Sequence, residues 1–473
     1  MTSSKPISRR SFVKQTTGAA TAVLGAPWIV PSSAIGGPGR TGANDRIRVG
    51  VIGTGVRGKY LIANLPESAQ VVSLCDCSLE RIQSVRKPRG EFVQTLAQFA
   101  ATQAGRCSTH QDYRRMLERE KLDAVIIAAP DHHHAQAAIL ACQARMDVYV
   151  EKPLAVTIAE GRAIVTAAKQ HNRVVQVGSQ QRTMQVNRFA CEFIRKGGLG
   201  KVSLIQMRNY PGPMRYESLP TEPVPKSLAW ELFCGPTELR PHNWMLWVKD
   251  DRKVGTLLWR GWDLWREYSG HIMTNWGAHH VDMVQYALGM DASGPVEIWP
   301  EPELLKASLA EAWVVKTPPL GSYMHGLEDR MRFCPVSMKY ADGTIMRLDP
   351  TVKETVFHGE RGKLHLSRND YWTEPADLAP PPDPEQQQLW SGAGHVARPH
   401  LQNWLDAVRA RTEPNAPIEV GHRTATVCHL ANLARELRRR LQWDPVNEQF
   451  VGDEAANRLL SRPRRKGFEL PVA

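Results

Sequence analysis

One short stretch constrains this chain more than any other. "RIRVGVIGTGVRGKYLIANL" begins at Arg46 and reads as a β-branched apolar run, a glycine turn and a helical pattern. Gly53, Gly55 and Gly58 give G-x-G-x-x-G, with Thr54, Val56 and Arg57 between them. The first glycine permits a tight turn and the second lets a pyrophosphate approach the backbone. The third lets helix lie on strand, with phosphate at the helix N-terminus. Alone the motif is weak, but "QVVSLCD" follows as a second strand ending in Asp76, eighteen residues beyond Gly58. A carboxylate there suits the two hydroxyls of an adenosine ribose and repels a 2′-phosphate. NAD is therefore the expected cofactor and NADP the less favoured one, with Arg81 nearby keeping it open.

The alternation continues. "KLDAVIIAAP", "DVYVEKPLA" and "RVVQVGSQQR" read as buried strands, separated by the helical patterns "HAQAAILACQAR" and "TIAEGRAIVTAAKQHN". Alternating strands and helices imply a doubly wound parallel sheet, an α/β Rossmann domain over residues 46–175. Ligands bind at the carboxyl ends of such strands. At those ends stand Pro130 and Asp131 with His132, His133 and His134, then Glu151-Lys152-Pro153, then Gln180, Gln181 and Arg182. Residues 176–473 change character. "KVSLIQMRNY", "VSMKYADGTIMRLD" and "ETVFHGERGKLHLS" read as a predominantly antiparallel sheet, with a tight turn at Asp342-Gly343. "HLQNWLDAVRAR" and "TATVCHLANLARELRRRL" are amphipathic helices, able to return to the first domain, and "APPPDPEQQQ" reads as a surface loop. The second domain is thus α+β with a large open sheet.

Three features narrow the function. "SRRSFVK" (Ser8–Lys14) precedes a short, mildly apolar stretch and a small-residue site at Ser32–Ala34. This is the pattern of a twin-arginine export signal over residues 1–34, with a linker over 35–45, and it predicts a periplasmic protein. The apolar stretch is too short to span a bilayer stably. The net charge of +12 is concentrated in knots at Arg435–Arg440 and Arg462–Lys466. They carry no aromatic interleaving or zinc-finger spacing, so a solvated basic face is expected rather than a nucleic-acid site. The eight cysteines include no CxxC pair and are expected as buried thiols, with room for one or two bridges in an exported protein.

The second half holds one further cluster, "TNWGAHHVDMVQYALG" (Thr274–Gly289). Read from the residues, it is open between a metal site, an acid–base centre and a helix start. In a helix, His279 and Asp282 lie three apart and Asn275 and His279 four apart, neighbours on one face. The HH-x-D spacing matches no standard zinc signature, and no metal is expected. Seven of the 14 tryptophans fall between Trp230 and Trp276, among them Trp259 and Trp262. They suit the C–H faces of sugar rings, with Arg260, Arg266 and Tyr268 beside them to bind hydroxyls or an acidic group.

The glycine turn, "PDHHHA", "VGSQQR", "WGAHHVDMVQYALG" and above all "EKPLA" resemble the Gfo/Idh/MocA family of sugar and polyol oxidoreductases. The resemblance runs from about Arg46 to the C-terminus, and the leader is similar to exported members of the glucose–fructose oxidoreductase type. It implies an NAD(P)-dependent enzyme acting on CH–OH groups of a sugar, polyol or glycoside, working as a homo-oligomer. Lys152 would reach the nicotinamide ribose and the reacting hydroxyl, and Lys152-Pro153 matches a bond often cis in the family. His279 matches the family's catalytic acid–base histidine. Glu151, Asp131 and His134 would belong to the cofactor site, and Arg182, Asn275, Trp262, Tyr268, His280 and Asp282 to the substrate site. Asn275 stands where the family has aspartate, so an amide replaces a group that could carry charge. Two other readings stay open. One is an NAD-assisted glycoside hydrolase or lyase with no net redox. The other is a sugar-binding protein that has kept the fold.

Overall fold

The computed structural model describes residues 45–216, 219–244, 246–247, 261–311, 330–392 and 396–472. The expected leader, its cleavage site, Trp259 and Arg260 lie outside the described residues. Six parallel strands form the first sheet: β1 (Ile47–Ile52), β2 (Ala69–Cys75), β3 (Ser108–His110), β4 (Ala124–Ile127), β5 (Asp147–Val150) and β6 (Val175–Val177). Their order is β3-β2-β1-β4-β5-β6, the doubly wound arrangement. β1, β4 and β5 are continuously apolar in their centres because both faces are covered. β6 pairs with β5 from Val148↔Val175 to Val150↔Val177, and the Gly178 turn follows it.

The glycines act as the sequence predicts. Gly53 has φ +91°, and a Cβ on it would sit 2.5 Å from the Ala128 backbone. A Cβ on Gly58 would meet the Gly53 carbonyl at 2.1 Å, which is where helix α1 (Val56–Ala63) lies on the turn.

The second sheet has nine strands. They are β7 (Val202–Arg208), β8 (Glu297–Pro300), β9 (Val336–Lys339), β10 (Ile345–Asp349), β11 (Thr355–Gly359), β12 (Gly362–Ser367), β13 (Asp370–Glu374), β14 (Leu441–Asp444) and β15 (Gln449–Phe450). The order is β13-β12-β11-β7-β10-β9-β8-β14-β15, antiparallel except for β7 beside β10. Asp342-Gly343 makes the β9–β10 turn, with Gly343 at φ +91°.

Helix α2 (His271–Ala287) shares a core with this sheet, as does α4 (Ile418–Leu437), which packs along α2. α3 (Arg398–Ala410) instead returns to the first domain, where Leu401, Trp404 and Leu405 join the core under β1. The proline-rich "loop" is a correction: Asp383 caps a short helix, Pro384–Leu389, with proline at its first turn, a favourable position.

The basic knots are also corrected. Arg435 is buried and bonds the Cys334 carbonyl and Asn209. Arg462 and Arg464 both reach the buried carboxylate of Glu160. Part of the charge excess therefore sits inside the fold, where each guanidinium has fixed partners. All eight cysteines are free thiols, and all but Cys77 are buried. Among the described residues no helix is long and apolar enough to cross a membrane, and no group of three or more side chains could hold a metal ion.

Candidate active site

The carboxyl ends of β1, β2, β4 and β5 open into one cavity of about 490 Å³. Its floor at one end is the glycine turn, where Gly53, Gly55, Val56 and Arg57 face it beside Asp76. The Asp76 carboxylate organises that turn. Its Oδ2 accepts from the Thr54 amide (2.9 Å) and hydroxyl (3.1 Å), and its Oδ1 accepts from the Ser78 amide (2.9 Å). α1 follows its N-cap Gly55 with no side-chain cap, so the helix N-terminus faces the cavity without a side chain over it. A Cβ on Gly55 would meet only the Arg81 guanidinium. These features fit a dinucleotide: bare backbone for pyrophosphate, a helix N-terminus behind it and a carboxylate at the second strand end.

At the other end stand Lys152, Asn275, Trp276 and His279, with Asp131 and Trp262. Lys152 leaves β5 ahead of a cis bond to Pro153. Its ammonium donates to Asn275 Oδ1 at 2.7 Å. Burial pulls its pKa down to about 8, against the pull of neighbouring Glu151 and Asp131. Glu151 is buried, yet Arg57 from the glycine-turn helix (Nε–Oε1 2.7 Å) and Lys152 hold it below the usual range. A Cβ on Gly178 would meet that carboxylate at 2.7 Å, so a side chain in the β6 turn would push Glu151 aside.

α2 begins at His271, four residues before Asn275, so Asn275 and His279 do share a face. His279 is buried, and burial together with Arg368 and Lys152 holds it well below the ordinary histidine range. The imidazole is therefore neutral, and the same surroundings disfavour its protonated form. Asp131 accepts from Ser269 Oγ at 2.6 Å, and burial raises it to about 6. Asp263, on the same wall, rises to about 7 through burial and then the charge of Asp131.

Other expected residues take different places. His134 lines the cavity but is pinned between the carbonyls of Pro153 and Ala129, 2.8 Å each, so it fixes the turn that presents Lys152. Of the six residues expected at the substrate, Asn275 and Trp262 line the main cavity and the other four stand elsewhere. Asp282 lies seven residues beyond Asn275, roughly 10 Å along the helix. There it accepts from Arg182 (2.8 Å) and Thr424 (3.0 Å). Arg182 is consumed by that bond and by Asp291 (2.8 Å), and neither side chain reaches the main cavity. Tyr268 is fully buried behind the wall, its ring against His132 and Phe233. His280 turns to Tyr210 (3.0 Å) and Thr355 (2.8 Å), at a small adjoining pocket.

Arg368 escaped the sequence reading. It stands in the β12–β13 hairpin and lines both the main cavity and the small pocket beyond His279. In sequence, "SRND" is an ordinary polar turn, and nothing in it points to a cavity. Asp263 escaped likewise, hidden among the tryptophans.

Fold and site together define a dinucleotide-dependent protein of the oxidoreductase class. The model of an oxidoreductase family with an NAD-binding Rossmann fold matches residues 47–179. The model of that family's C-terminal α/β domain matches residues 212–314 and 329–470. The chain belongs to the Gfo/Idh/MocA oxidoreductases, and its cofactor is NAD. It is 27% identical over 168 residues to an inositol 2-dehydrogenase of Salmonella typhimurium, covering 35% of this chain and 46% of that one. A levoglucosan dehydrogenase of Pseudarthrobacter phenanthrenivorans is 34% identical over 118 residues, 25% of this chain and 30% of its own. A glycosyl hydrolase family 109 protein of Stenotrophomonas maltophilia is 32% identical over 152 residues, 32% of this chain and 30% of its own. Each of these matches spans less than half of the curated relative. Among solved structures, the WlbA dehydrogenase from Bordetella pertussis with NADH and UDP-GlcNAcA superposes with TM-score 0.56 at 18% identity. It covers 85% of this chain and 99% of that one. A levoglucosan dehydrogenase with NADH and levoglucosan gives 0.55 at 16%, covering 84% and 99%. At these identities the likeness is one of fold.

Proposed function

We propose that the protein oxidises a CH–OH group of a sugar, polyol or glycoside, or reduces the matching carbonyl. The observation that carries this is convergence. Lys152, Asn275 and His279 meet at one end of the cavity whose other end is the glycine turn and Asp76. Bound NAD supplies a hydride acceptor. The chain's own residues handle the proton and the position of the substrate. His279, held neutral, accepts the hydroxyl proton, and Lys152 donates a hydrogen bond that favours the developing alkoxide. Asn275 keeps the Lys152 ammonium aimed without the charge that an aspartate would add. Trp262 and Trp276 offer apolar faces to a sugar ring.

The relatives support a carbohydrate substrate: their names speak of inositol and levoglucosan. The resemblance to a glycosyl hydrolase family 109 protein favours a second reading, in which the hydride is returned and a glycosidic bond is cleaved. Export by the twin-arginine route, resting on Ser8–Lys14, and assembly into homo-oligomers belong to the same proposal. An aryl glycoside panel separates the readings when reduced nicotinamide and released aglycone are followed together. Reduced nicotinamide alone supports the dehydrogenase. Aglycone without accumulating reduced nicotinamide, lost in Lys152→Ala, supports the hydrolase. Neither product from any glycoside or free polyol would count against both.

A further inference from the structure

The C-terminal segment crosses the cofactor half of the cavity, and no part of the proposed chemistry uses it. Phe468 lines the cavity beside Asp112 and Tyr113, which follow β3. β2 and β3 lie on one side of β1, and β5 with Lys152 lies on the other. Phe468 therefore walls the end marked by Asp76, where an adenosine would sit, not the end where a hydride would move.

Its position is fixed from several directions. The Arg114 and Arg465 guanidinium groups lie over its ring, 4.4 and 4.7 Å from the centroid. Arg114 also donates to the Gly467 carbonyl at 2.9 Å, and Gln136 to the Glu469 carbonyl at 3.0 Å. Arg464 donates to the Phe468 carbonyl at 2.7 Å while bonding Glu160, which is 2% exposed and also takes Arg462 at 2.8 Å. A buried carboxylate held by two arginines is a costly anchor for a dangling tail, since each charge had to leave water. Arg465 bonds the Gly235 and Glu231 carbonyls, tying in the segment that contributes Phe233 to the same cavity.

We infer that this C-terminal segment is part of the dinucleotide site, with Phe468 a binding residue for the adenosine half of NAD. Phe468 is buried under the Arg114 and Arg465 guanidinium groups, and the part of it that lines the cavity gives an apolar contact for a purine or its ribose at the end marked by Asp76. Removing an aromatic face from a base costs on the order of tenfold in affinity.

The test uses the full chain and ADP-ribose, which holds the adenosine half without the reacting ring. Calorimetry with Phe468→Ala should show about tenfold weaker binding of ADP-ribose and of NAD, and Phe468→Tyr should restore most of it. Hydrogen exchange in the wild-type protein covers the case where the alanine variant folds poorly. Peptides spanning residues 461–472 should exchange more slowly with saturating ADP-ribose. Wild-type affinity in a folded Phe468→Ala, or unchanged exchange in that segment, would overturn the assignment. Because no turnover is measured, the outcome is independent of which carbohydrate the enzyme uses.

Discussion

Lys152 carries the sharpest residue-scale consequences. A buried ammonium near pKa 8 is partly deprotonated in mild alkali, unlike an ordinary lysine. In the proposed step Lys152 acts as the ammonium that stabilises the developing alkoxide, so kcat/KM for oxidation falls as pH climbs through about 8. Reduction, which also needs the ammonium, falls over the same range. Asn275→Asp places a negative charge where the amide oxygen now lies, 2.7 Å from the ammonium. That favours the charged form, so the limb should move to higher pH, as a pH–rate profile of the variant would show. Lys152→Ala should lower kcat/KM by roughly 10²–10⁴ while ADP-ribose affinity stays near wild type. An equal loss of both would make Lys152 a structural residue.

At the scale of elements, α2 shows what the pattern of a sequence reveals and what it hides. The helix and its Asn275–His279 face followed from spacing, because a four-residue step is a property of any helix. The fate of Asp282 did not. Spacing puts it near His279 on the helix surface, but its partners Arg182 and Thr424 come from segments far away in the chain. Arg182 looked like a pocket residue because it follows a strand end. The ion pair with Asp282 turns it into a strut between the Gln180–Arg182 turn and α2. Arg182→Ala should therefore cost about 3–5 kcal/mol in urea unfolding, since it strands a buried carboxylate, and leave KM of the remaining folded enzyme little changed. A rise in KM with unaltered stability would return Arg182 to the substrate site. Local motifs such as G-x-G-x-x-G and "EKPLA" were legible because their chemistry depends on adjacent residues. Arg368, Asp263 and Phe468 reach the cavity from a hairpin, an irregular stretch and the tail, and only the tertiary fold brings them together.

For the whole molecule, the parallel sheet supplies the cofactor half of one cavity and α2 supplies the histidine and amide at its other end. The proposed chemistry needs both at the same point, where elements of the two sheets meet. In the proposed reaction a hydride passes between a carbohydrate carbon and NAD at Lys152 and His279. The most direct check is a single turnover of NAD-loaded protein with sugars and polyols deuterated at each CH–OH carbon, quenched and read by mass spectrometry of the nicotinamide. Deuterium on the nicotinamide from one carbon of one substrate, and none in His279→Ala or Lys152→Ala, is the predicted result. Label transferred equally well by those variants, or never transferred from a carbohydrate that demonstrably binds and is turned over, would contradict it.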